Sequence, residues 1–220
     1  MDEDFEYFLS KFGPPMAAQP VTSTTVERYR GRLPDQLLRY WQELGFCGFK
    51  GGLLWITNPE DYESALEAWI GDTSIAEEDA FHVIARSGFG ELLLWGTQSG
   101  FRYQIVSSTG WILQKSGSRA DIATGEADRS LRWFFSGTAP ESLDIKDKQQ
   151  RRLFDRAVAK LGSLAADEVF AFEPMLALGG KQELDHLARR NIHVHLDLLA
   201  QVTPREILDR AALAKRAFGA

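Results

Sequence analysis

The chain has 220 residues, a net charge of −6, 44% apolar and 25% charged residues, which fits one large or two small globular domains and excludes a disordered or fibrous polypeptide. Its single cysteine, Cys47, rules out an internal disulfide and suits a reducing compartment. Four carboxylates in the first six residues predict no signal peptide, and no apolar run approaches the ~18–20 residues of a spanning helix, so a cytoplasmic protein without a membrane partner is expected.

Along the chain, Phe5, Phe8, Leu9 and Phe12 recur at helical spacing and predict a helix over residues 1–12, stopped by Gly13-Pro14-Pro15. Thr22 to Thr25 supply a cap for a short helix from Val26 to Arg30. Pro34 opens a clearer helix over residues 35–44, with Leu37, Leu38, Trp41 and Leu44 on one face and Gly45 as its stop. Leu53 to Thr57 read as a strand, and Asn58-Pro59 starts a helix whose buried stripe is Tyr62, Leu66, Trp69 and Ile70.

The period then changes. Residues 81–86, 91–96, 101–107 and 111–115 are short β-branched or aromatic runs split by glycine turns, which predicts an antiparallel meander of about four strands. A short helix over residues 130–135 follows, then a small, polar, proline-containing hinge at 136–147. Beyond it the pattern predicts a helix at 148–161, a strand at 169–172, a helix at 183–190, a strand at 192–198 and a last helix opened by Thr203-Pro204-Arg205-Glu206, which has the capping-box pattern, and carrying Ile207, Leu208, Ala211 and Leu213. The fold class expected is α+β.

Charge is unevenly spread. Residues 60–91 hold nine acids against one base, Arg86. Such a segment repels nucleic acid and attracts basic surfaces, although a solvated helix face gives the same pattern. Nothing in the spacing of these carboxylates forces an elevated pKa. The basic group Lys146, Lys148, Arg151, Arg152 and Arg156 has interleaved acids and no stacking aromatics, so it reads as an exposed helix face rather than a nucleic-acid site.

Catalytic motifs are weak. His193, His195 and Asp197 would share one face of the predicted strand, the pattern of a metal-dependent hydrolase, but two imidazoles without a completing Cys or Glu-x-x-His fit satisfied histidines better. Cys47 lacks a neighbouring base and reads as core. Gly179-Gly180-Lys181 lacks the earlier glycine and the following Ser or Thr of a phosphate loop, and Gly88-Phe89-Gly90 reads as a turn. No metal, cofactor or catalytic residue is expected.

Two stretches carry a resemblance. Residues 27–62, from Glu27-Arg28-Tyr29 through Trp55-Ile56-Thr57-Asn58-Pro59-Glu60-Asp61-Tyr62, resemble the opening of the GAD-like domain. Residues 168–202, with Phe170-Ala171-Phe172, Leu176-Ala177-Leu178-Gly179-Gly180 and His195-Leu196-Asp197-Leu198-Leu199-Ala200-Gln201, resemble its companion domain. The pair implies a GAD-like domain over 1–138 and a smaller mixed α/β companion over 146–220. It also implies an immunity protein that binds a nuclease toxin of the type VI secretion system. The contact surface expected is Glu60, Asp61, Glu63, Glu67, Glu77, Glu78 and Asp79 with Phe46 and Phe49. The competing reading is a ligand-sensing module with a pocket between the sheet and the C-terminal region.

Overall fold

The computed structural model describes residues 1–209, 211–213 and 215. The helices that the apolar spacing predicts form where a cap and a stop agree with it. In α1 (Glu3–Phe12) the Asp2 carboxylate accepts the Phe5 amide, and Phe5, Phe8 and Phe12 turn inward. Next come β1 (Met16–Gln19), α2 (Ser23–Tyr29), capped by Thr22, and α3 (Asp35–Leu44). Pro34 offers α3 no side-chain cap; Asp128, far along the chain, accepts the Gln36 amide at 2.8 Å instead. Gly45 ends α3 at φ 77°, and a side chain there would collide with the Gln19 carbonyl.

A largely antiparallel sheet grows from both sides of the expected meander. β2 (Phe46–Phe49) pairs with β1 and with β3 (Leu54–Ile56), and β3 pairs with β4 (Phe81–Ser87). Between β3 and β4 lie a 3-10 turn at Pro59–Tyr62, α4 (Glu63–Ile70) and the short α5 (Ile75–Glu78). β4, β5 (Leu92–Gly96), β6 (Gly100–Val106) and β7 (Trp111–Gln114) then follow as consecutive antiparallel neighbours. Helices α6 (Arg119–Ala123) and α7 (Ala127–Gly137) come next, then α8 (Phe154–Leu161). A separate hairpin, β8 (Glu168–Phe172) with β9 (Leu187–Asn191), leads into α9 (Ile192–Val202). The chain finally returns to the main sheet as β10 (Glu206–Leu208), parallel to β7, which gives eight strands among the described residues.

Both faces of this sheet are covered. Leu93 and Trp95 of β5 join a core with α1, α3, α7 and α8, while Leu92 and Leu94 join a second core with α4 and α9. Strand alternation therefore produces a continuous apolar run in an antiparallel strand. β8 does the same: Phe170 and Phe172 enter the first core, Val169 and Ala171 the second.

Four expectations in the C-terminal third change. The helix expected from 148 begins only at Phe154, because Asp147 accepts the Gln149 and Arg151 amides at 3.0 Å each and holds residues 147–151 in a turn. The helix expected at 183–190 is a 3-10 turn followed by β9. The strand expected at 192–198 is α9: Asn191 caps it by accepting the His193 and Val194 amides, and Ile192, Leu196 and Leu199 are buried at helical spacing. The helix expected to open at 203 starts later: residues 206–208 form β10, with Leu208 buried and Ile207 exposed, and residues 211–213 are helical; residues 210, 214 and 216–220 lie outside the described residues.

Helix α7 offers a direct check of which face holds the fold. Phe135 is fully buried against Phe5, Phe8 and Tyr40, whereas Trp133 is 56% exposed. Phe135→Ala should cost about 3–5 kcal/mol in urea unfolding, and Trp133→Ala on the order of 0.5 kcal/mol or less. Equal effects would contradict this packing.

Candidate partner-binding surface

The acidic segment is less negative than its composition implies. Arg28 of α2 reaches across to Glu60 at 2.9 Å and Glu63 at 2.7 Å. Asp72 forms a two-pronged pair with Arg205 at 2.6 and 2.7 Å. Glu78 accepts the Tyr103 hydroxyl at 2.6 Å, and Asp79 works inside the fold, accepting the Gln98 amide and the Ser99 hydroxyl. Asp61, Glu67 and Glu77 stay exposed without an ion pair among the described residues. The two aromatic candidates separate as well. Phe46 is half-buried against Trp41, but Phe49 is fully buried against Phe5 and Phe8 and presents no ring to a partner.

Phe46 and Asp61, distant in sequence, line one small hollow of about 110 Å³ together with Tyr62, Arg86, Asp167 and His193. Arg86 forms its floor. Its strand neighbours place it there, since β4 sets Arg86 opposite Trp55 and the guanidinium lies 5.1 Å over that ring. The side chain is wholly buried, and among the described residues no carboxylate pairs with it. Neutral acceptors replace the water it has lost: Nε donates to the Tyr62 hydroxyl at 2.9 Å, Nη1 to the Ser87 carbonyl at 3.2 Å and Nη2 to the Ala166 carbonyl at 2.7 Å. Burial pushes the Tyr62 phenol up, with Arg86 pulling the other way, so the hydroxyl stays neutral and able to accept. Asp61 and Asp167 stand exposed at the rim. Spacing alone did not nominate Arg86, Asp167 or Tyr62 as site residues, and it singled out His193 only as a metal-site candidate; the available signal was a lone arginine within a largely apolar strand.

The remaining sequence candidates resolve as follows. His193 packs at a tilt against Tyr62, 5.0 Å between ring centres, while His195, on another side of α9, is buried with its pKa driven by desolvation down to about 4. The helical period thus turns His195 away from the face that His193 and Asp197, four positions apart, still share, and no group of metal-binding side chains occurs among the described residues. Arg151 and Arg156 converge on Asp147, Lys148 pairs with Glu183, and Arg152 donates to the Glu141 carbonyl, so the basic cluster is drawn into local ties and does not form one helix face.

Glu91 is no surface charge. Buried in the sheet and accepting from Gln104 at 2.8 Å, it has its pKa pushed by desolvation up to about 7, which the sequence did not lead one to expect. A carboxyl raised in this way binds more protons folded than unfolded, so its contribution to stability is present below the unfolded pKa and drains away as pH rises through about 7. Glu91→Gln removes the titration, and relative to wild type it should gain about 3 kcal/mol between about pH 5 and pH 8 in urea unfolding. Parallel stability curves would contradict a buried titrating carboxyl.

Arg86→Ala removes three hydrogen bonds and leaves the Ala166 carbonyl without its donor, so it should cost on the order of 3 kcal/mol, seen as a lower urea midpoint. An unchanged midpoint would show that the guanidinium ties nothing together.

Residues 3–109 match the model of the GAD-like domain, and residues 128–203 match that of the T6SS immunity protein Tdi1, C-terminal. The crystal structure of Atu4351 from Agrobacterium tumefaciens superposes with a TM-score of 0.81 at 21% identity, covering 94% of this chain and 92% of that one, which establishes a shared fold. No curated protein matches the sequence. Asp61, Tyr62 and Arg86 fall within the first matched segment, Asp167 and His193 within the second, and the hollow lies where the two meet. The chain belongs to the proteins that join a GAD-like domain to the C-terminal domain of the type VI secretion immunity protein Tdi1.

Proposed function

We propose that this chain is an immunity protein that binds a cognate type VI secretion nuclease toxin in the cytoplasm and neutralises it by direct contact, without turnover of its own. The match of residues 128–203 to the Tdi1 C-terminal domain carries this reading. Physical chemistry supports it in two ways. A nuclease presents basic groups to phosphate, so unpaired acids such as Asp61, Glu67 and Glu77 would speed encounter. The hollow between Asp61 and Asp167 has room for the head of one Lys or Arg side chain, with the Phe46 ring beside it for the aliphatic stem. Affinity would concentrate at that anchor, while the surrounding acids mainly govern on-rate and partner choice. Glu60, Glu63, Glu78 and Asp79, the other acids expected at the contact, have carboxylates already engaged within the fold and would contribute less. Among the described residues no helix is long and apolar enough to cross a membrane.

The test begins with affinity capture of the full chain from the cells that make it. A captured nuclease should lose its DNA-cleaving activity when the chain is added in equimolar amount. Asp61→Lys with Asp167→Lys should slow association at least about tenfold, and the remaining rate should depend less on salt. Undiminished cleavage in the presence of the chain would sink the proposal. Unchanged association by a folded double variant would remove the hollow from the contact surface.

A further inference from the structure

On another part of the molecule, Phe101, Lys115, Trp133 and Phe134 together line two adjoining clefts of about 640 and 300 Å³, between β6, the end of β7 and α7. Three observations set this region apart. Its size falls in the range of small-molecule sites. Its wall is aromatic: Phe101 packs edge-on to Phe134 at 4.8 Å, and Trp133 keeps more than half of its surface in water although its neighbours on α7 face the core. An exposed tryptophan beside a cleft is a common mark of a recognition surface.

The third observation is electrostatic. The Lys115 ammonium is half-buried, and among the described residues it has no ion pair and no hydrogen-bond acceptor; the nearest ring is Phe101, 6.0 Å away. The acid that acts on it most directly, Glu91, is bonded to Gln104 and is itself held partly protonated near neutrality by burial. Arg102, at the same cleft, donates to the Lys115 carbonyl at 2.6 Å and lies 3.9 Å from Glu78, so its charge is engaged. A partly desolvated cation that forms no ion pair among the described residues, beside an aromatic wall, lacks one thing: an anion with an apolar body.

We propose that this cleft binds a small aromatic carboxylate, its anionic group on the Lys115 ammonium and its rings against Phe101, Trp133 and Phe134. The site is independent of the toxin-binding surface, and neither reading requires the other.

Titration calorimetry on the full chain decides the matter, with naphthoate as the probe and its uncharged carboxamide as the control. Naphthoate should bind and raise the melting temperature in a dose-dependent way, with the carboxamide at least about tenfold weaker. Lys115→Met should show the same tenfold loss, Lys115→Arg should retain binding, and Trp133→Ala should weaken it while moving the melting temperature of the free protein by no more than about 2 °C. Equal binding of acid and amide, full binding by folded Lys115→Met, or no heat from naphthoate at millimolar concentration would each overturn the proposal. If Lys115→Met fails to fold, the comparison of acid and amide on the unaltered chain still gives the answer.

Discussion

A buried guanidinium needs acceptors, and much of the molecule is arranged to supply them to Arg86. One acceptor, the Tyr62 hydroxyl, stands at the start of the acidic helix α4; another, the Ala166 carbonyl, belongs to the segment that leads into β8. A cation without a carboxylate partner is costly to bury, and it persists here because each polar direction that it uses ends on oxygen and its flat face rests on Trp55. The arginine therefore acts as a rivet between the two family-matched segments. The same demand fixes where Asp61 and Asp167 stand, since each adjoins one of the residues that Arg86 holds in place.

The legible parts of the sequence were those where period, cap and stop agreed. Helix α3 carries its stripe of Leu37, Leu38 and Trp41 up to Gly45, and strands β4 to β7 alternate between glycine turns, so both were readable from residues alone. Strand β1 is short and its exposed residues give no alternation, while β2 consists of Phe46-Cys47-Gly48-Phe49, in which Gly48 is needed because the Trp55 ring lies against it. Neither offers a local signal. Helix α9 misled for a different reason: Ile192-His193-Val194-His195-Leu196 alternates like a strand, but the cap at Asn191 and the second core select the helical period. Tertiary context overrides local pattern there, as it does at β10.

The acidic segment was readable in the sequence, whereas the ties that engage its charges were not. A run of acids is visible in any sequence, but the cations that engage Glu60, Glu63 and Asp72 come from Arg28 and Arg205, more than thirty positions away. Burial likewise decides that Phe49 is core while Phe46 borders the hollow. Exposed ion pairs such as those of Arg28 contribute little to stability. Their larger effect is to narrow the unpaired negative potential to a few carboxylates, which favours recognition of particular basic groups over diffuse attraction to any cationic surface.

The parallel pairing of β7 with β10 also bears on biosynthesis. Residues 111–114 leave the ribosome long before residues 206–208, so the outer edge of β7 must wait while some ninety intervening residues are made. An unpaired edge invites pairing with other nascent chains. Ring closure over that distance is entropically slow, so docking of β10 belongs among the last acts of maturation, and any delay in elongation past α9 would lengthen the interval in which two growing copies can join edge to edge.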